Sequence, residues 1–300
     1  MIRRVGFVGL GQMGKWIALN MVEAGFEVTV HDRRPEPMEF LAGRGARTAL
    51  SPGRAAAELV CLCLPDGGAV DQALFGADGL GESLAPGSIV VDLGTTDYLY
   101  TLRLGEKLGS LGLVPADAPV TGMEKRAREK DLTIMFGGDA AVLDKVRPVL
   151  AASAGRIVHT GPLGTGQLTK LINQILFNAN MAALAEILPL AVKLGLDPDN
   201  TAAVINSGTG RSFASEFFIP NILENIFDQG YPLEKAHKDM LAAAAISAGL
   251  DIPLPVFEAA HKTYRAALDQ GWGGQDKGAM IKVMEKKLNV VFRRRAGASK

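Results

Sequence analysis

Cysteine, histidine, aromatic residues and net charge are all scarce in this sequence. Its 300 residues include 2 cysteines and 4 histidines, and 6% are aromatic. Cys61 and Cys63 lie one residue apart in an apolar run. They are expected as buried, reduced thiols on opposite faces of a strand rather than as a disulfide. His31, His159, His237 and His261 are scattered without the paired spacing of a metal motif, so no metal site is expected. Lys plus Arg and Asp plus Glu number 32 each, for a formal net charge of +0. That balance argues against a nucleic-acid partner held by bulk positive charge. The sequence shows no signal-peptide core and no long uncharged apolar stretch, so the expectation is a cytoplasmic protein with no membrane partner. Repeats and low-complexity tracts are absent. Apolar residues are plentiful, at 48% against 21% charged, which excludes a chain disordered throughout.

Glycine is in excess, with 35 in all, about 12% where about 7% is usual. Without a collagen-like period, these glycines point to tight turns and close backbone approaches. Up to about residue 161, short apolar runs alternate with helical patterns. Strands are expected at 5–9, 27–31, 59–64, 89–93, 113–117, 132–136 and 156–159, and helices at 13–24, 52–57, 98–108 and 140–150. Such alternation predicts a parallel sheet covered on both faces. Beyond Gly164 the strand signal stops. Residues 167–194 read as one long alanine-rich helix interrupted by Pro189, followed by helices at 198–207, 219–228, 232–248, 255–269 and 279–287. The expected architecture is an α/β domain over 1–162 and an all-α domain over 163–300, ending in a frayed basic tail at 293–300.

The first chemical signal is Gly9-Leu10-Gly11-Gln12-Met13-Gly14. It follows an expected strand and opens an expected helix, and Asp32 ends the second strand about 20 residues on, the context that a Rossmann-type dinucleotide fingerprint requires. Gly9 permits the tight turn, Gly11 lets backbone approach a pyrophosphate, and Gly14 lets helix pack on strand. The helix N-terminus offers N–H groups to the phosphates. Asp32 suits the ribose hydroxyls of NAD, whereas Arg33 or Arg34 suits the 2′-phosphate of NADP; the carboxylate tips the reading towards NAD. Leu64-Pro65 and Thr95 close later strands, where ligands of α/β sheets bind. An ordinary turn is the alternative reading of each.

Extended to GLGQMGKWIALNMVEAG, the first motif resembles the N-terminal signature of the β-hydroxyacid dehydrogenases, the family of 3-hydroxyisobutyrate dehydrogenase and tartronate semialdehyde reductase, with a layout like 6-phosphogluconate dehydrogenase. Three further segments match in order. Asp117-Ala118-Pro119-Val120-Thr121-Gly122 resembles the substrate motif D-A-P-V-S-G-G. Gly164-Thr165-Gly166-Gln167-Leu168-Thr169-Lys170-Leu171-Ile172-Asn173-Gln174 resembles the catalytic motif G-x-G-x-x-x-K-x-x-N-[NQ]. Lys238-Asp239 resembles a K-D pair of the C-terminal domain. The resemblance implies an NAD(P)-dependent, metal-free oxidoreductase acting on a small β-hydroxyacid or its semialdehyde, assembled as a dimer or tetramer. It implies Lys170 as catalytic acid/base and Thr121 and Gly122 at the substrate carboxylate. Asn173 and Gln174 would support Lys170 or touch substrate, and Thr95 and Lys238 would contact the cofactor.

The residues themselves allow this chemistry. Lys170, Asn173 and Gln174 fall at i, i+3 and i+4 on one helix face, and oxidising an alcohol needs a base for the hydroxyl proton. Met123 departs from the family by replacing the second glycine, and residues 124–128 are unusually charged. Met123 is thereby expected beside the substrate, and one of Lys125, Arg126 or Arg128 is a candidate for a second acidic group, with a solvated loop as the favoured alternative. Arg211 is a candidate for a distal carboxylate, with a helix-linking loop as the alternative. An imine reductase is the alternative enzyme, against which Lys170 argues; a non-catalytic dinucleotide-binding module would need neither Lys170 nor Thr121.

Overall fold

The computed structural model describes residues 2–294. The chain divides into two compact units, Met1–Lys170 and Leu171–Lys300. The first unit is built on nine strands: β1 (Arg4–Val8), β2 (Glu27–His31), β3 (Arg47–Thr48), β4 (Leu59–Leu62), β5 (Ile89–Asp92), β6 (Val114–Asp117), β7 (Val120–Thr121), β8 (Leu132–Gly137) and β9 (Ala154–Gly161). Their order is β3-β2-β1-β4-β5-β6-β8-β7, with β9 also paired to β8. The first six strands pair in parallel. β8 runs antiparallel to β6 and β7 and parallel to β9. The expected parallel sheet is therefore a mixed one. The ten residues between β7 and β8 are too few for the crossover that a parallel return needs.

Alternating side chains divide the sheet between two cores. Val5, Phe7, Cys61 and Val91 pack with Ile17 and Met21 of helix α1 (Gly14–Glu23) and with Val146 of α6 (Ala140–Leu150). Val8, Val60, Leu62 and Val90 pack on the other face, with Leu74 of α3 (Gly67–Phe75) and Leu108 of α4 (Tyr98–Ser110). Both cysteines belong to the first core, with Cys63 half-buried against it. The expectation of opposite faces is corrected, because residues i and i+2 of a strand share a face. Burial pushes both thiols up to about 12, and both are free.

Sequence reading missed α2 (Pro35–Ala42), α3, and α5 (Met123–Arg128). Two glycines mask α3, but the Asp66 carboxylate caps it by accepting from Ala69 N at 2.9 Å. The helix expected at 52–57 is a single 3-10 turn, Pro52–Ala55.

Helix α7 (Thr165–Lys193) begins in the first unit and continues into the second, passing through Pro189 without a break. The second unit adds α8 (Pro198–Ser207), α9 (Phe213–Leu223), α10 (Leu233–Gly249), α11 (Pro255–Leu268) and α12 (Ile281–Leu288). The helix expected at 219–228 begins earlier, because Ser212 and Ser215 form a reciprocal capping box that starts α9 at Phe213. Met181, Ala185 and Leu188 of α7 pack with Phe218, Met240 and Tyr264 in this unit's core. Lys277 is fully buried there, donating to Asn178 Oδ1 at 2.6 Å with its ammonium 4.1 Å from the Phe177 ring centroid.

The expectation that no apolar stretch is long enough to cross a membrane is also corrected. By length and composition α7 qualifies, with a mean hydropathy of 1.7 over 18 residues. One face of this helix packs into the second core, but only 39% of that window is buried, and Ile172, Leu176, Ile187 and Leu190 are exposed. At the far end, Arg293 pairs with Glu285 at 2.7 Å, and Arg294 pairs with Asp199 at 2.9 Å and with Glu224. The start of the expected frayed tail is thus anchored, and positions 295–300 lie outside the described residues.

Candidate active site

The carboxyl ends of β1, β2, β4, β5 and β6 carry the candidate residues of the first unit. After β1, Gly9 adopts φ +99°, and a β-carbon there would lie 2.4 Å from the Cys63 carbonyl oxygen. One on Gly14 would lie 2.0 Å from the Gly9 carbonyl oxygen, whereas Gly11 has nothing within 4 Å of its β-carbon position. Two glycines are therefore fixed by packing and the third by an open approach. No side chain caps α1, so its first N–H groups suit an anion. This cradle fits a dinucleotide pyrophosphate, flanked by Leu10, Gln12 and Met13. Asp32, at the end of β2, accepts from Leu10 N at 2.6 Å and from Arg34 N at 2.9 Å and Nε at 3.2 Å. Burial raises its carboxyl, but the backbone donors of Arg34 and Leu10 and the Arg34 guanidinium together hold it below the ordinary range. Arg34 also donates to Leu10 O at 3.3 Å, while Arg33 is exposed.

Leu64 follows β4 and meets the loop after β5: a β-carbon on Gly94 would lie 2.7 Å from the Leu64 carbonyl oxygen. Pro65 is exposed and Thr95 half-buried. Asp92 ends β5 and holds this loop by accepting from Gly94 N at 2.8 Å and from Thr96 Oγ1 at 3.0 Å. The Gln167 side chain closes on the same loop, accepting from Thr96 N at 3.2 Å and donating to Gly94 O at 3.0 Å.

Asp117 ends β6, in register with Asp92. Fully buried, it accepts from Gly164 N at 2.6 Å and Gln167 N at 2.7 Å. A carboxylate from the sheet thus caps the first turn of α7. One turn on, Lys170 is 7% exposed and donates from Nζ to Val120 O at 2.8 Å. Val120 immediately precedes Thr121 and Gly122, so the fold brings the Lys170 amine to the substrate motif. Gly122 and Met123 have φ of +139° and +62°, and Met123 is half-buried.

In the second unit, Gln174 donates to Asp239 Oδ2 at 3.0 Å; Asn173 and Lys238 are exposed. His237 and His261 meet, Nε2 to Nε2, at 2.9 Å. No group of three metal-ligating side chains occurs among the described residues. Arg211 pairs with Glu216 at 3.5 Å, and Arg126 with Asp131 at 2.8 Å. Sequence reading assigned no role to Asp92, Thr96, Asp117 or Gln167. The available signal was a carboxylate ending each of two consecutive parallel strands.

Two family models cover most of the chain. The NAD-binding domain of 6-phosphogluconate dehydrogenase matches residues 4–161, and the NAD-binding domain of NADP-dependent 3-hydroxyisobutyrate dehydrogenase matches residues 164–284. The chain belongs to the β-hydroxyacid dehydrogenase family. It is 32% identical to 2-(hydroxymethyl)glutarate dehydrogenase of Eubacterium barkeri, with 96% of each chain covered. It is 33% identical to L-threonate dehydrogenase of Cupriavidus necator, covering 94% of this chain and 96% of that one. Among solved structures, 3-hydroxyisobutyrate dehydrogenase of Salmonella typhimurium aligns with a TM-score of 0.86 at 28% identity, over 94% of this chain and 99% of that one. This is an NAD(P)-dependent oxidoreductase of the hydroxyacid class, with a Rossmann-type domain followed by a helical one.

Desolvation raises the Asp92 and Asp117 carboxyls to about 6. A folded-state value above the unfolded one means that the native state binds the proton more tightly. The resulting stabilisation is present below about pH 4 and is lost as pH rises through 6, about 2–3 kcal/mol for one such group. Asp92→Asn keeps an acceptor for Gly94 N and cannot ionise. Urea unfolding at pH 4.5 and 7.5 should therefore show a smaller loss of stability with rising pH in the variant than in the wild type. Equal losses would mean that Asp92 does not ionise across this interval.

Proposed function

We propose that Lys170 is the general acid/base of this oxidoreductase and that Thr121 and Gly122 receive the carboxylate of a small β-hydroxyacid or the matching semialdehyde. The observation that carries this reading is the burial of Lys170 with its amine on the carbonyl of Val120, the residue before Thr121. When bound, the nicotinamide supplies or accepts the hydride. Lys170 takes the hydroxyl proton in oxidation and returns it to the carbonyl oxygen in reduction. A Thr121 hydroxyl and a Gly122 N–H suit a carboxylate. Met123 borders that turn, with Thr95 as a supporting contact. An imine reductase would have less use for a buried lysine here. A cytoplasmic setting, with no nucleic-acid or membrane partner, completes the reading.

A screen of 3-hydroxyisobutyrate, 2-(hydroxymethyl)glutarate, L-threonate and 3-sulfolactaldehyde with both cofactors tests the substrate class. On the best of these, Lys170→Ala should lose at least about 10²-fold in kcat while NADH affinity, read by fluorescence titration, changes little. Near-normal turnover by the variant would move the proton to another residue.

For the cofactor, we infer a preference for NAD. The ionised Asp32 opposes a 2′-phosphate, and its partner Arg34 is already engaged. The wild type should show higher kcat/KM with NADH than with NADPH, and Asp32→Asn should cut that ratio about tenfold or more. A wild type that favours NADPH would assign control to Arg33 and Arg34.

The chain is further inferred to form a homodimer or homotetramer. Ile172, Leu176, Ile187, Leu190 and Leu194 of the second unit remain 40–71% exposed, more apolar surface than scattered single residues explain. Light scattering at micromolar concentration should report at least twice the 31.7 kDa chain mass; a monomer would contradict this inference.

A further inference from the structure

Helices α1 and α5 begin at the two turns on which binding depends. α1 opens from the phosphate cradle at Gly14, and α5 opens from the substrate turn at Met123. The α5 start is strained. A side chain at Gly122, φ +139°, would be strained and crowded, with its β-carbon 3.0 Å from both Arg126 Cβ and Leu132 Cδ2. Met123, at φ +62°, is a non-glycine residue in the left-handed region, which side chains oppose sterically. Strain of this kind persists only where the surroundings enforce it. A helix of six residues is too short to do so alone.

The surroundings that enforce it come from one face of α1. Trp16 Nε1 donates to Glu124 Oε1 at 2.9 Å, and the Arg128 guanidinium lies 4.4 Å from the Trp16 ring centroid. One turn on, Asn20 is 2% exposed and donates to Ala127 O at 2.8 Å and Ser153 Oγ at 3.1 Å. The Trp16 ring is itself fixed, with Lys15 Nζ 4.5 Å from its centroid and Phe40 edge-on at 5.7 Å. Glu124 directly follows the strained Met123. On the near side Thr121 pairs with Thr133 of β8; on the far side the bond from Glu124 to Trp16 precedes the Asn20 contact to Ala127 three residues later.

We propose that Trp16 and Glu124 are positioning residues: their hydrogen bond holds the strained Gly122–Met123 turn in the conformation that receives substrate, by anchoring it to the helix that receives the cofactor phosphates. The proposal rests on the assignment of Thr121 and Gly122 to the substrate. Neither Trp16 nor Glu124 touches the reacting atoms.

The test uses the full chain and the best hydroxyacid of the screen above. Trp16→Phe removes the donor, and Glu124→Leu removes the acceptor. Each should raise substrate KM about tenfold, with kcat within threefold and the Kd for NADH alone within twofold. Glu124→Gln keeps an acceptor oxygen and should restore KM. The double variant Trp16→Phe/Glu124→Leu should be no worse than either single one, the non-additivity of residues that act through one bond. In a Trp272→Phe background Trp16 is the sole indole, since the chain has 2 tryptophans, and Glu124→Leu should shift its emission whether or not substrate turns over. Unmoved KM in both single variants, additive effects, failure of the Gln rescue or an unmoved emission would each overturn the clamp. A moved emission in an enzyme inert to all four compounds of the screen would instead overturn the substrate reading on which the proposal rests.

Discussion

The carboxylate of Asp117 is the constraint on which the site of the first unit depends. It leaves the sheet at the end of β6 and takes two backbone N–H groups at the start of α7, from Gly164 and Gln167. Those bonds require close approach, and two glycines permit it. A β-carbon on Gly137 would lie 2.4 Å from Asp117 Oδ1, and one on Gly166 would lie 2.6 Å from Oδ2. With the first turn fixed, the Gln167 side chain reaches Gly94 and Thr96, and Lys170 reaches Val120. One buried anion thus sets three loop positions. It is costly to bury, and its raised pKa expresses that cost.

The charges of this region divide by task. Asp92 and Asp117 are buried, raised to about 6, and bonded to loop backbone. Asp32 is held below the ordinary range by its donors and stands where an adenosine ribose is expected. A structural carboxylate can tolerate partial protonation if its hydrogen bonds survive. A carboxylate that discriminates against phosphate must stay ionised near neutral pH, and its backbone donors favour that form.

The alternation of strands and helices made the plan of the first unit, a sheet covered on both faces, legible, because apolar runs of that length report burial directly. The Gly9–Gly14 cradle was equally legible, since its glycines have distinct steric duties that a short motif records. Asp117 and Gln167 were not. Their partners lie 47 to 73 residues away, and nothing local distinguishes a strand-ending aspartate that caps a remote helix from one in water. The antiparallel β8 and the capping box at Ser212 escaped for a related reason: each turns on a short connection whose geometry outweighs the apolar pattern around it. The cysteine pair shows the opposite case, in which the spacing was sufficient and period two already required a shared face.

Met123 shows where family pattern and physical chemistry diverge. A glycine at this position would adopt φ +62° at little cost, whereas methionine must be held there. The chain places a methionine in the left-handed region at the position where the family motif has glycine. The charged segment that follows supplies what a glycine turn would not need: Glu124 bonds Trp16, Arg128 lies on the same ring, and Arg126 pairs with Asp131. These contacts account for charges that in sequence looked available to a second acidic group on the substrate. Of the three cations at 125, 126 and 128, only Lys125 is left without a described partner. The unusual composition of α5 is thus explained first as the scaffold of an unusual turn, and its bearing on substrate choice follows from the conformation that scaffold maintains.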